Sequence, residues 1–228
     1  MASVTHPLDN PVHAALTGPQ AHFAERWGAA LRYQADVSPF MALPSDPGDQ
    51  EWADLAALVG PGATAALTGA DPKPPAAWDV MWSLGGVQMV DDGVAGAPDV
   101  DAVRLTAADV PEMLALVAAT KPGPFLTRTI ELGTYLGIRR DGRLAAMAGE
   151  RMHLTGWTEI SAVCTDPDFR GSGLASRLVR ALAQQIRARD ETPFLHAAAT
   201  NTSAIRLYEA MGFRLRQNVM FVAARTPA

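Results

Sequence analysis

The residues of this chain best placed for chemistry lie in one stretch, Val163-Cys164-Thr165-Asp166-Pro167-Asp168-Phe169-Arg170-Gly171-Ser172-Gly173-Leu174-Ala175-Ser176. The apolar run Ile160 to Cys164 reads as a buried strand. Asp166-Pro167 ends it, because proline donates no ladder bond and biases its neighbour away from helix. Arg170-Gly171-Ser172-Gly173 then leads straight into a long amphipathic helix. Glycines at that point reach backbone conformations closed to other residues and leave the first turn clear of side chains. The unpaired N–H groups there, with the positive end of the helix dipole, make an anion site, above all for phosphate. The other reading of the same residues is an ordinary glycine-punctuated turn.

Other chemistries find less support. A Walker loop ends in Gly-Lys-Ser/Thr, and no lysine lies near this loop. A dinucleotide fingerprint wants Gly or Ala where Ser176 stands and an acid closing the next strand, but Phe194 to Ala199 holds none. His6, His13, His22, His153 and His196 show no ligand spacing with acids or with Cys164, so no metal is expected. No serine sits in a nucleophile elbow. Cys164, the only cysteine, excludes an internal disulfide and reads as a small buried side chain. With no signal-peptide pattern and no apolar run near the ~20 residues of a membrane span, a cytoplasmic protein without membrane contact is expected.

The net charge of −5 divides unevenly. Residues 1–100 carry 12 acids against Arg26, Arg32 and Lys73, whereas residues 101–228 carry 16 bases against 12 acids. The mildly basic half suits a phosphate-bearing cofactor and is too weak a field for nucleic acid.

The first half is rich in turns. Helices are expected from Asn10-Pro11 to Leu16, over Pro19 to Trp27, and over Gln50 to Val59. Strands are expected at Ala63–Leu67, Trp78–Leu84 and Val87–Val90. Trp27, Trp52, Trp78 and Trp82 are expected to form the core of this part; the alternative is an aromatic-lined cleft. Gly93 to Pro98 reads as a linker, dividing the chain into 1–98 and 99–228. After it the pattern becomes regular. Val103–Leu105 is a strand and Ala108–Ala119 a helix capped by Thr106. Thr134–Arg139 and Leu144–Met152 flank an Asp141-Gly142 turn, and Thr158–Thr165 follows. Gly173–Arg189 is a helix with Leu174, Leu178, Leu182 and Ile186 inward and Arg177, Arg180, Arg187 and Arg189 outward. Strand Phe194–Ala199, helix Asn201–Met211 and strand Val219–Ala223 complete the order β-α-β-β-β-α-β-α-β. The fold class is α/β in the α+β sense, with a mixed sheet, antiparallel first and parallel at the central pair.

Arg170-Gly171-Ser172-Gly173-Leu174-Ala175 resembles the Q/R-x-x-G-x-G/A loop of the GNAT superfamily of acyl-CoA-dependent N-acyltransferases. Asn201-Thr202-Ser203-Ala204-Ile205-Arg206-Leu207-Tyr208-Glu209-Ala210-Met211-Gly212-Phe213 is similar to that family's N-x-x-A-x-x-x-Y-x-x-x-G-F block, and the element order matches. The resemblance covers roughly residues 102–224 and not the first hundred, which reads as a degenerate half-copy of the same fold or as a wall of an acceptor site.

The resemblance implies an N-acetyltransferase that moves an acetyl group from acetyl-CoA to a primary amine by direct attack. The rival is an inactive acyl-CoA-binding sensor or scaffold. Arg170, Gly171, Ser172, Gly173, Leu174, Ala175 and Ser176 would hold the pyrophosphate, and the edge at Val163, Cys164 and Thr165 the pantetheine arm, admitted by a splay between two strands. Asn201 would contact the cofactor, serve as a helix N-cap, or both. Tyr208 would protonate the leaving thiolate, the alternative being a core tyrosine with a satisfied hydroxyl. Glu159, sharing a face with Ser161, Val163 and Thr165 by alternation, would be the base, with Glu150 second; for each the alternative is a solvated edge residue. His196 reads as a satisfied histidine or a proton relay. The acceptor would be a small-molecule or peptide amine, and the protein a monomer or homodimer.

Overall fold

Eleven strands and five α-helices form in the computed structural model of the chain, which describes residues 6–228. Strands β1 (Ala24–Trp27), β2 (Ala30–Tyr33) and β3 (Met41–Ala42) make a small antiparallel sheet. The other eight make one large sheet: β4 (Thr64–Gly69), β5 (Asp79–Asp91), β6 (Ala102–Arg104), β7 (Tyr135–Arg140), β8 (Arg143–Leu154), β9 (Trp157–Thr165), β10 (Thr192–Ala198) and β11 (Phe213–Arg225). Their order across it is β4-β11-β5-β10-β9-β8-β7-β6, and only β9 and β10 run parallel. The mixed sheet expected from the sequence is therefore present. No helix among the described residues is long and apolar enough to cross a membrane.

The helices follow their local signals closely. Asn10 caps α1 (Pro11–Leu16) by accepting from His13 N, and α2 (Asp49–Val59) stops at Gly60. Helix α3 (Val110–Thr120) follows a 3₁₀ turn begun at Thr106. Helix α4 (Leu174–Arg187) buries Leu174, Leu178, Leu182 and Ile186, and α5 (Thr202–Met211) ends on Gly212 in the left-handed region. The β7–β8 turn has positive φ at Asp141 and Gly142, as a two-residue hairpin turn of this hand requires.

Four expectations need correction. Pro19–Trp27 is not a helix: a 3₁₀ turn at Ala21–Phe23 runs into β1. The buried Gln20 side chain donates to the Arg151 and Leu132 carbonyls, a long-range tie that outweighs local helix propensity. Trp78–Leu84 and Val87–Val90 are not two strands but parts of the unbroken β5. Gly86 permits this, because a Cβ there would lie 2.6 Å from the Phe221 ring and 3.1 Å from the Ala197 carbonyl oxygen. Of the four tryptophans only Trp52 and Trp78 are core, packed edge to face at 5.5 Å; Trp27 and Trp82 are more than half exposed.

The fourth concerns the expected linker, which is bolted to α4. Arg187 pairs with Asp91 and donates to the Val94 carbonyl; Arg177 pairs with Asp99 and with Asp101, at 2.8 Å to the latter. These bonds consume much of the basic face that the sequence showed to solvent. Strand β5, from the first hundred residues, also lies between β10 and β11 and pairs with β11 along almost its whole length. A chain beginning at residue 99 would leave both neighbours without their partner, along with the buried Val87, Met89 and Val90. Such a fragment should show no cooperative thermal transition when expressed alone, and co-expression with residues 1–98 should restore one. Calorimetry checks this; a fragment melting cooperatively near the full-length Tm would refute it.

Candidate active site

The site begins where two strands part. β9 and β10 pair from Trp157↔Thr192 to Ile160↔Leu195 and no further. Beyond that vertex β10 stays bonded to β5, and β9 to β8, so their facing edges carry backbone groups without ladder partners. The divergence coincides with a β-bulge. Cys164 faces Met147 and Ser161 faces Gly149, so β9 holds one residue more than β8 in that interval. Ala162, inside the bulge, has φ 53, a left-handed conformation costing a non-glycine residue roughly 1–2 kcal/mol. Packing on both sides holds it there. Ile160 and Val163 pack into the core beneath α4, while Ala162 and Cys164 pack into the core beneath α3.

The loop after β9 presents its amides. Gly171 and Gly173 take φ 78 and 75, and a Cβ at either would meet nothing within 4 Å. The backbone N–H groups of residues 171–176 make no hydrogen bond to any described residue; Arg177 N is the first to bond, to Gly173 O. The Ser172 hydroxyl donates back to the Phe169 carbonyl, and Arg143 pairs with Asp168 while lying 5.0 Å over the Phe169 ring. Arg170 is exposed and forms no ion pair among the described residues. The loop is thus held from below with six consecutive donors free. These donors and the open strand edges fit a pyrophosphate followed by an amide-bearing arm.

Tyr208 sits on α5 next to this gap, buried and 5.9 Å from the Phe213 ring. Its hydroxyl has no hydrogen-bond partner among the described residues, yet it is not sealed from solvent. Burial pushes its phenol up to about 12, and the nearby Cys164 thiol adds to the shift, so it stays protonated at neutral pH. Burial also pushes the Cys164 thiol up to about 11, which suits a wall and not a nucleophile. Asn201 accepts from Ala204 N as the α5 N-cap.

Glu159 is not where alternation put it. The bulge flips the phase of β9, so Ile160 and Val163 share one face of the sheet and Glu159 lies on the other. Its carboxylate is fully buried. Arg151 grips both oxygens, at 2.7 Å through Nε and 2.6 Å through Nη2, and His196 Nδ1 lies 2.7 Å from Oε1. The carboxylate fixes the His196 proton on Nδ1, leaving Nε2 to accept from the Gln88 amide at 3.1 Å. Gln88 also donates to the Leu8 carbonyl and accepts from Arg216. Burial opposes ionisation of Glu159, but the charge and hydrogen bonds of Arg151, with those of His196, outweigh it and hold the carboxyl down to about 2. A carboxylate so weak, enclosed and committed does not deprotonate an amine. Glu150 fails similarly: it is 2 % exposed, pairs with Arg189 at 2.9 Å and accepts from Thr134 N. Glu159 and His196 instead tie β9 to β10 at the vertex. Arg151, Gln88 and the Ala162 bulge went unseen in the sequence, since contact between Arg151 and Glu159 depends on bulges that residue spacing does not show.

A mixed sheet whose one parallel pair splays beside a glycine loop of free amides defines the acyl-CoA N-acyltransferase class of fold. Residues 135–222 match the family model described as FR47-like protein. The crystal structure of a GNAT-family protein from Novosphingobium aromaticivorans DSM 12444 is 41 % identical, with a TM-score of 0.90 over 98 % of this chain and 100 % of that one. The chain belongs to the GNAT family. Two curated relatives match more locally. Mycothiol acetyltransferase of Nocardiopsis dassonvillei is 31 % identical over 107 residues, 42 % of this chain and 32 % of the relative. The [ribosomal protein bS18]-alanine N-acetyltransferase of Salmonella typhimurium is 35 % identical over 82 residues, 35 % of this chain and 55 % of the relative. The aligned stretch thus spans about a third and about half of their lengths.

The clamp has a signature in acid. The folded Glu159 value lies below the ordinary 4.5, so its contribution to stability is present above about 4.5 and lost as pH falls toward about 2. Glu159→Gln should lower Tm at pH 7, since Arg151 is left buried and unpaired, and should flatten the fall of Tm between pH 4.5 and 2. Thermal melts across that range test it; an unchanged acid slope would argue against the clamp.

Proposed function

We propose that this protein transfers an acetyl group from acetyl-CoA to a primary amine by direct attack. The observation that carries the reading is the juxtaposition of six unpaired amides, two unladdered strand edges and the partnerless Tyr208 hydroxyl around one gap. The names of the curated relatives, both acetyltransferases, support the same chemistry.

Acetyl-CoA supplies a thioester whose carbonyl carbon takes the amine and whose sulfur leaves as a thiolate. The amides of residues 171–176 bind the pyrophosphate, with Arg170 adding charge at the loop mouth. The open edge at Val163, Cys164 and Thr165 holds the pantetheine amides, and an N–H of that edge faces the charge developing on the carbonyl oxygen. As the C–S bond breaks, Tyr208 donates the proton that the departing sulfur needs, and the proton that the attacking nitrogen sheds as the amide forms goes to solvent, from which the phenolate is restored. Neither Glu159 nor Glu150 is free to take the amine's proton, so the amine reacts from its neutral fraction in solution. At pH 7 that fraction costs an alkylamine of pKa ~10.4 roughly 4–5 kcal/mol.

Two measurements follow. Thiol release from acetyl-CoA with a panel of amines should fall about a hundredfold or more in Tyr208→Phe, the span of general acid catalysis, with acetyl-CoA affinity nearly unchanged. An unchanged rate removes the acid role, and cofactor binding without turnover across the panel favours a sensor or scaffold. The rate of kcat/KM should also rise about tenfold per pH unit up to the pKa of the amine, as a neutral nucleophile requires. A plateau setting in near neutral pH would instead reveal an enzyme base.

A further inference from the structure

A second parallel pair lies beside the β4 edge of the large sheet. Strand β3 leads through α2 into β4, and the two run parallel, bridged once at Phe40↔Ala66. Strand β9 leads through α4 into β10 in the same way. β4 ladders antiparallel to β11, β10 antiparallel to β5, and the long β5 and β11 lie side by side between them. Exchanging β3 with β9, α2 with α4, β4 with β10 and β11 with β5 leaves this arrangement unchanged. The two pairs also part alike. Past Ala66, β4 stays laddered to β11 as far as Gly69 while β3 pairs with β2, so the facing edges of β3 and β4 carry backbone groups outside any ladder. Between them opens a cleft of about 610 Å³, the size of a small-ligand site. Leu43, Trp52 and Leu67, all buried, line it. Thr68 lines it too, and its Oγ1 is shut off from solvent without a hydrogen-bond partner.

We propose that this cleft is a second binding site, and that it takes an extended peptide segment bearing a basic side chain. The two gaps differ where the helix begins. Beside the first, Arg170 and the glycine loop offer free amides to an anion. Beside the second, Asp49 and Glu51 stand in the first turn of α2, and Glu51 takes the Gly48 N–H at 2.9 Å. Asp46, lining the cleft with φ 55, has no ion-pair partner among the described residues, whereas Asp9 is paired with Arg216 and Asp71 with Lys73. A pyrophosphate is repelled there and a cation is drawn in. The walls choose the rest of the ligand. Parted strands and a buried hydroxyl call for a chain of amides, since a hydrocarbon would leave Thr68 unpaired. The apolar lining takes an aliphatic side chain of the same segment. Asn10 donates to the Leu43 carbonyl at 2.7 Å and Trp78 packs edge to face on Trp52, so the walls are set before anything binds.

Calorimetric titration of the full chain with the blocked tetrapeptide acetyl-Ala-Leu-Lys-Ala-amide tests this. One equivalent should bind, and the analogue with glutamate in place of lysine should bind about tenfold more weakly or worse. Asp46→Asn with Asp49→Asn, both at exposed positions, should weaken the lysine peptide about tenfold, and asparagine tolerates the left-handed backbone at 46. Thr68→Val should weaken it several-fold while leaving Tm level or higher, because the hydroxyl it removes has no partner in the free chain. Excess acetyl-CoA should not displace the peptide. No uptake of the lysine peptide, equal uptake of both peptides, displacement by acetyl-CoA, or two equivalents of acetyl-CoA bound per chain would each overturn the proposal.

Discussion

The architecture turns on one buried carboxylate. Glu159 sits at the vertex where β9 and β10 separate, and an unmet charge there would be among the most destabilising features the fold could carry. It is met three times over, by two contacts from Arg151 and one from His196. The chain of partners then runs through Gln88 to Arg216 and Asp9, so residues from both ends of the sequence converge on it. That over-determination keeps the two strands together below the vertex and lets them part above it. Without a fixed vertex, the gap between the two strands would have no defined width.

The bulge is the other half of the arrangement. Strands that part abruptly need a break in register, and Ala162 supplies it by adopting a backbone conformation that alanine resists. The packing on its two sides is what enforces that conformation. The gap between β9 and β10 is therefore built from strain locked in by two separate cores, and not from a loop free to find its own shape.

What the sequence disclosed follows from the range of the interactions involved. Helix caps at Asn10, Gly60 and Gly212, the Asp141-Gly142 turn and the glycine loop are local events, and their residues state them openly. The loop and the Asn201–Phe213 block were enough for the family. The role of Glu159 was misread because strict alternation fails at a bulge, and a bulge leaves no mark on hydrophobic period. Likewise nothing near Asp79–Asp91 announces that it will be inserted between strands formed much later in the chain. The run from Gly93 to Pro98 has a linker's composition and yet is pinned by arginines that the same sequence presented as solvent-facing.

The insertion of β5 also has a history in time. A ribosome delivers this strand long before β10 and β11, and the Arg216–Gln88 bond alone spans 128 residues. Local helices can form as they emerge, but the sheet cannot close until almost the last residue is made. Such a topology carries high contact order and folds slowly. Through that wait Val80–Leu84 is an exposed apolar β-segment without a single charge, the kind of stretch that nascent-chain chaperones protect and that aggregates when synthesis outpaces them.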